Sequence, residues 1–187
     1  AELFSVQNIR ATDLLWDEDG IDIPQLNLQT SLVDMTAKAL VRPEGSWPLQ
    51  LNATYALDLH AQELPNLNGT TVLSGSLENI EIVQRFELPY AIRIEANLVD
   101  PLVAPTWHAD LQTARLQLAA FGENLPTTEL TAKLTAHGNT TEASLEGDMQ
   151  LSQASLQFSS KFDFAEKFND SPSVDLQLAW QNLAWPL

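Results

Sequence analysis

Hydrophobic and polar residues alternate along most of this chain with a period of two, which is the pattern of β-strands with one apolar face. In residues 47–59 the odd-numbered positions are apolar and most positions between them are polar. The same alternation returns in five further segments: residues 88–98, 130–134, 145–151, 156–164 and 174–180. Turn-forming residues separate the runs: Asp19-Gly20, Pro43-Glu44-Gly45, Asn68-Gly69, Pro101, Pro105, Gly122 and His137-Gly138-Asn139. The pattern predicts an antiparallel meander of about a dozen short strands.

Two stretches change phase partway. Trp107, Ala109 and Leu111 occupy odd positions, whereas Leu116 and Leu118 occupy even ones. Because a slip of one residue turns side chains to the other face, this change predicts a bulge or bend. Residues 26–41 show a similar change and receive the same interpretation. Amphipathic helix is not indicated, since the best helical segment, residues 165–168, is one turn long.

An apolar face shared by successive strands must be covered, and two all-β folds provide cover. In a closed β-sandwich the apolar faces of two sheets pack on each other. In an open antiparallel meander, curled into an elongated groove, the apolar concave face would instead contact the acyl chains of a lipid. Periodicity does not separate these folds. The length of 187 residues fits a single domain, residues 1–187.

Charge and composition exclude several classes of function. The chain has 9 Lys and Arg against 25 Asp and Glu, a formal net charge of -16, so it repels nucleic-acid phosphates and we expect no nucleic-acid partner. It has no Cys, and no apolar run reaches the length of a membrane-spanning helix. The sequence opens within the strand pattern without an initial Met, and we expect it to be a fragment of a longer protein.

Residues with chemical potential form no catalytic or metal-binding motif. His60 and His108 lie on the polar phase and His137 in a predicted turn, far apart in sequence, so we expect solvated histidines. The acidic residues 17–22 resemble a calcium loop but lack its later bidentate Glu, which favours an acidic hairpin turn. No phosphate loop or nucleophile motif is present. We expect no catalysis, no cofactor and no metal.

The apolar phase supplies the candidate site, a face that would contact lipid. Its candidate residues are rich in Leu and alternate along the predicted strands. They are Leu49, Leu51, Tyr55, Leu57, Leu59, Leu88, Tyr90, Ile92, Ile94, Leu98, Leu111, Leu116, Leu118, Leu130, Leu134, Leu145, Met149, Leu151, Leu156, Phe158, Phe162, Phe164, Val174, Leu176, Leu178 and Trp180.

Several short motifs resemble one family. Residues 180–187 read WQNLAWPL and resemble the WQNLRWPL stretch of TamB-like proteins, with Ala184 in place of the basic residue. Four other segments resemble the N-terminal half of that family: residues 14–24, 47–49, 88–90 and 100–107. The motifs are short, but together they extend over nearly the whole chain. The chain thus resembles an N-terminal-half or middle fragment of the TamB-like proteins, the inner-membrane components of translocation and assembly modules, within the AsmA-like repeating β-groove family.

The resemblance implies a β-taco with a hydrophobic lumen that carries phospholipid between the inner and outer membranes. It also implies a periplasmic location, tethering to the inner membrane by a helix outside this fragment, and a TamA-like Omp85 partner contacted through other regions. Roles in outer-membrane biogenesis, including outer-membrane protein assembly and autotransporter secretion, are implied in the same way.

Two other non-catalytic functions stay open at this point. A closed β-sandwich would be a binding or adhesion module that holds its ligand by loops. A chaperone-like scaffold would offer its sheet edges to client strands by β-augmentation. An enzyme is the weakest alternative.

Overall fold

A computed structural model describes residues 5–60, 63–123, 125, 127–164 and 173–182. Strands account for 70% of these residues and helix for 3%, which confirms the all-β prediction. The strands are β1 Val6–Thr12, β2 Leu15–Asp17, β3 Gly20–Thr30, β4 Val33–Val41, β5 Pro48–Leu57, β6 Leu67–Ser76, β7 Asn79–Phe86, β8 Ile92–Val99, β9 Thr106–Gln117, β10 Glu129–Gly138, β11 Glu142–Leu151, β12 Ala154–Asp163 and β13 Ser173–Gln181. A short 3-10 helix, Leu118–Phe121, follows β9. Residues 165–168, the best helical segment of the sequence, lie outside the described residues.

All thirteen strands belong to one antiparallel sheet, in which each strand from β3 onward pairs with the next strand in the sequence. The order is β1-β3-β4-β5-β6-β7-β8-β9-β10-β11-β12-β13, and the short β2 pairs with β3 outside this path. Over the described ranges β1 and β13 do not pair with each other, so the sheet is open. The predicted antiparallel meander with an open groove is confirmed.

No second layer covers this sheet in the described part of the chain. Extensive contacts between strands occur only between partners in the sheet. The described strands form one open sheet and not the two packed sheets of a sandwich, so the alternative of a closed β-sandwich is wrong. The accessible surface is 13103 Å², whereas a compact monomer of this mass would expose about 8,900 Å². Among the described residues no large side chain is fully buried.

The predicted change of phase in residues 107–118 is confirmed as a bulge in β9. Leu130 of β10 pairs with Leu116, whereas Ala132 pairs with Thr113, so β9 contains one extra residue between these pairs. A second register shift lies in β3, between Ile23 and Leu26. Both shifts return apolar residues to the same face after the irregularity.

The bulge or bend that the sequence predicts in residues 26–41 is wrong, because the irregularity there is a turn between two strands. The phase changes there because a tight hairpin turn at Ser31 and Leu32 joins β3 to β4. The Thr30 hydroxyl oxygen accepts hydrogen bonds from the backbone N–H of Leu32 at 3.1 Å and of Val33 at 2.8 Å. A side chain that satisfies two N–H groups in this way stabilises a turn.

Two expected turns lie inside strands. Asn68 and Gly69 belong to β6, and His137 and Gly138 belong to β10. The turn after β10 begins at Asn139, whose side-chain oxygen accepts hydrogen bonds from the backbone N–H of Thr141 and Glu142. At both sites the glycine leaves space for an aromatic ring of the neighbouring strand. The acidic hairpin at residues 17–20 is confirmed, and Asp19 N–H donates to the Asp17 carboxylate at 2.9 Å.

Candidate functional site: the apolar face of the sheet

One face of the sheet is apolar from β3 to β13, and we call it the apolar face. Its continuity follows from the register, because directly paired residues share a face. One row of partners runs without interruption across ten strands, from β4 to β13. Its members are Ala39, Leu51, Leu73, Ile82, Ala96, Ala109, Ala136, Leu145, Ser160 and Leu176. Parallel rows on either side are also mainly aliphatic or aromatic.

Most of the candidate residues lie in strands on this face. Five others lie just beyond strand ends: Leu59, Leu88, Tyr90, Leu118 and Phe164. Leu88 and Tyr90 belong to the turn before β8, and Leu118 belongs to the 3-10 helix, so the expected strand from residue 88 is wrong at its beginning. Strand β8 begins at Ile92.

The candidate set omitted apolar residues of β3, β4, β6 and β7. These residues share the face by register and include Leu26, Leu28, Met35, Leu67, Leu73, Ile80, Ile82 and Phe86. Trp107 of β9, whose apolar phase is visible in the sequence, also belongs to the face. The alternation of Ile80, Ile82 and Phe86 along β7 was sufficient to assign these residues to the apolar face from the sequence. The most buried hydrophobic residues of the apolar face are the small residues Ala37, Ala53 and Ala132.

Three aromatic side chains on the apolar face lie over glycines of the neighbouring strand. Tyr55 pairs with Gly69, Trp107 with Gly138, and Phe158 with Gly147. A Cβ atom at Gly69, Gly138 or Gly147 would lie 2.9 Å or less from the partner's ring. The glycines therefore leave room for rings to cover the adjacent backbone, which is why they occur inside strands.

Three connecting segments meet at one margin of the sheet, which we call the Tyr90 margin. They are the connections β5–β6, β7–β8 and β9–β10. The Tyr90 hydroxyl donates to the Pro65 carbonyl at 2.9 Å, and the Tyr90 ring contacts Phe121 edge to face at 5.0 Å between ring centroids. Gln117 N–H donates to the Pro89 carbonyl at 2.9 Å. These contacts tie the connections together beside the strand ends.

The apolar face contains one polar cluster, formed by Tyr55, Thr71 and Gln84. Thr71 and Gln84 are direct partners of β6 and β7, and Tyr55 reaches Gln84 from β5 across β6. The Thr71 hydroxyl donates to the Gln84 side-chain oxygen, and the Gln84 side-chain N–H donates to the Tyr55 hydroxyl oxygen. All three residues are half-buried.

The opposite face is polar and carries most of the charge. His108 of β9 and His137 of β10 are direct partners there, with ring centroids 6.4 Å apart, although the sequence places them far apart. His108 also lies 2.9 Å from the Asp110 carboxylate. The Thr135 hydroxyl donates to Asp110 at 2.7 Å, and this bond together with the His108 contact lowers the pKa of the Asp110 carboxyl.

Two other exposed groups have shifted pKa values. Hydrogen bonds from the His60 backbone N–H and ring lower the pKa of Asp58. The Glu142 carboxylate, 3.2 Å away, and then Asp163 raise the pKa of Lys161. These pairs are solvated, so they stabilise the fold little and mark no reactive centre.

Within the described ranges no group of three or more His, Cys, Asp or Glu residues is placed to hold a metal ion. In the same residues no helix is long and apolar enough to cross a membrane. The two histidines that the fold brings together were missed because their contact depends on the register of β9 and β10, which the sequence does not state.

Comparisons of the chain with protein-family models, with curated proteins and with solved structures found no match.

Proposed function

We propose that the apolar face binds the acyl chains of lipids and shields them from water. The observation that carries this proposal is a continuous apolar face on an open sheet that no second layer of protein covers within the described residues. Soluble monomers rarely expose contiguous apolar surface of this extent unless the surface has a partner. Acyl chains match the surface, because it consists mainly of aliphatic side chains with aromatic rings laid over glycines.

The mechanism is physical, and it requires neither a catalytic residue nor a cofactor. An acyl chain in water costs about 0.8 kcal/mol for each exposed CH₂ group, so contact with the apolar face lowers the free energy of a lipid outside a membrane. Twelve strands lie side by side on the main path of the sheet. At about 4.8 Å between neighbours they extend over about 53 Å, which is longer than one extended acyl chain. A lipid can therefore move along the face while its chains stay covered.

The resemblance of the short motifs extends the proposal to a biological setting. In this setting the chain is a segment of a TamB-like periplasmic protein, tethered to the inner membrane from outside this segment. It passes phospholipid between the inner and outer membranes, and a TamA-like outer-membrane protein contacts other regions. Support for outer-membrane protein assembly and secretion belongs to the same proposal. The strongly acidic composition would favour solubility of such a protein between two membranes.

A scaffold function is the second candidate, and β13 favours it. Every residue of β13 is exposed, and the strand leaves one edge without a partner in the described structure. Its apolar residues Val174, Leu176, Leu178 and Trp180 are 62%, 57%, 51% and 61% exposed. An amphipathic client strand could add to such an edge by β-augmentation. This use of the edge is compatible with lipid binding on the face.

Native mass spectrometry of protein purified gently from lipid-replete cells tests the proposal. We expect species heavier than the bare chain by the mass of a phospholipid or fatty acid. Leu111→Glu and Gln112→Glu add the same charge to opposite faces of β9. Leu111→Glu should abolish the lipid-bound species and Gln112→Glu should retain them. Detection of the bare mass alone, or equal loss in both variants, would contradict the proposal.

A further inference from the structure

The polar cluster of Tyr55, Thr71 and Gln84 is an exception on the apolar face, and its geometry is built by several neighbours. Gly69 lies between Tyr55 and the backbone of β7. A Cβ atom at this position would lie 2.7 Å from the Tyr55 hydroxyl oxygen and 2.9 Å from the Arg85 carbonyl oxygen. Phe86 contacts the Tyr55 ring edge to face, with ring centroids 6.5 Å apart. The Tyr55 ring is thus held across β6 with its hydroxyl beside Gln84.

The cluster has more hydrogen-bond donors than it uses internally. Tyr55 and Thr71 have one O–H each and the Gln84 amide has two N–H groups, whereas the two internal bonds use two donors. Exchanging the oxygen and nitrogen of the Gln84 amide leaves the same surplus, because the bonds then run in the opposite direction. Either way, two donors at a half-buried position remain available to an acceptor on a ligand.

The strands around the cluster select the kind of acceptor. Strands β5 and β6 contain no charged residue, and the charged residues of β7, Glu81 and Arg85, lie on the polar face. No cation of these strands therefore faces the cluster to neutralise a carboxylate or phosphate. A neutral acceptor suits the neutral donors of the cluster better. The carbonyl oxygen of an ester has that character.

The position of the cluster suits an ester as well. Tyr55 and Gln84 each lie two residues before the end of their strand at the Tyr90 margin, about 7 Å along the strand. A lipid whose chains lay on the apolar face and whose head group lay in water beyond this margin would place its ester groups between the two. The cluster lies at the depth where such a lipid would have its ester linkage.

We propose that Tyr55, Thr71 and Gln84 form a subsite that binds the ester carbonyl of an acyl lipid. The inference rests on the proposed lipid-binding function and adds a substrate class, ester-linked lipids, to it. The subsite would hold a lipid in one position on the apolar face. Hydrocarbon chains alone, and lipids with ether linkages, have no carbonyl to offer it.

Competition between two phospholipids with the same head group and chain length, one ester-linked and one ether-linked, tests the subsite. Native mass spectrometry of the intact chain measures the ratio of the two bound species. We expect a preference for the ester lipid of about three- to tenfold, the effect of one hydrogen bond to a neutral donor. Equal binding of both lipids would overturn the subsite and leave the proposed function standing. Binding of neither lipid would overturn both.

A variant assigns the preference to the cluster. Tyr55→Phe, Thr71→Val and Gln84→Met, combined in one chain, remove all three polar groups while keeping the approximate volume, so no unpaired partner remains. Binding of the ester lipid should fall to that of the ether lipid. The matched control, Thr70→Val with Gln112→Met, makes similar changes on the polar face and should keep the preference. Preference retained in the triple variant, or lost in the control, would overturn the assignment.

Discussion

Replacing Ile92 by Arg separates an apolar face that binds lipid from one that serves folding alone. Ile92 begins β8 on the apolar face, is half-buried, and pairs with Thr113 of β9. Full burial of an Ile side chain is worth about 1.5–3 kcal/mol, so losing this partly accessible side chain should cost about 1–2 kcal/mol. Because no second layer covers the face in the part of the chain that the structure describes, the guanidinium should keep its water while the long side chain lies along the surface.

We therefore expect Ile92→Arg to fold, with its thermal midpoint lowered by about 2–8 °C in a circular-dichroism melt. Lipid-bound species in native mass spectra should disappear, because the charge interrupts the apolar surface. Arg93→Ala, the neighbouring change on the opposite face, removes an exposed pair with Glu95 and should preserve both properties. If Ile92→Arg abolished the cooperative melting transition, the reasoning from an uncovered face would be refuted, because a closed core would respond in that way.

Further predictions concern packing, pH and the sheet edge. Gly147→Ala should destabilise the fold by about 1–3 kcal/mol in a denaturant titration, because its Cβ would overlap the side chains of Leu134 and Phe158. Gly122→Ala, whose Cβ would make only ordinary contacts with Leu125, should be neutral, and equal effects of the two changes would contradict the packing. Because the pKa of Asp110 is lower in the folded chain than in the unfolded chain, the ionised carboxylate stabilises the fold above about pH 4, the pKa of an unperturbed Asp. This stabilisation is lost as the pH falls through the pKa of Asp110 in the folded chain. Thr135→Val should raise that pKa in an NMR titration, and an unchanged pKa would exclude the hydrogen bond as its main cause. The exposed edge of β13 should let chains associate as their concentration rises, which sedimentation velocity measures, and Leu176→Lys should reduce this association. Association that Leu176→Lys leaves unchanged would show that β13 is not the contact.

Much of the strand pattern was predictable because the side-chain period of a strand is two. Leu145 and Met149, for example, are assigned to one face by alternation alone, and the register confirms it. The openness of the sheet was not predictable in this way. A sandwich and an open groove present the same alternation, and the difference is whether a second layer of chain returns over the first.

The errors have identifiable physical causes. Asn68-Gly69 has the composition of a hairpin turn, yet both residues lie within β6. Position 69 is a glycine because the Tyr55 ring occupies the space that a side chain would need. His137 was placed in a turn for a similar reason, since it precedes Gly138, over which Trp107 lies. Local composition indicates a turn in both cases, and a contact from the neighbouring strand decides otherwise. The polar cluster was missed because its three members come from three different strands.

Photo-crosslinking in living cells from two adjacent positions of β11 can show whether lipid contacts the apolar face. A photoreactive amino acid at Leu145 lies on the apolar face, and the same group at Glu146 lies on the polar face of the same strand. Mass spectrometry of the purified protein identifies what each group has captured. We expect acyl-lipid adducts at Leu145 and none at Glu146. Lipid adducts at both positions, at neither, or only at Glu146 would contradict the claim that the apolar face binds lipid.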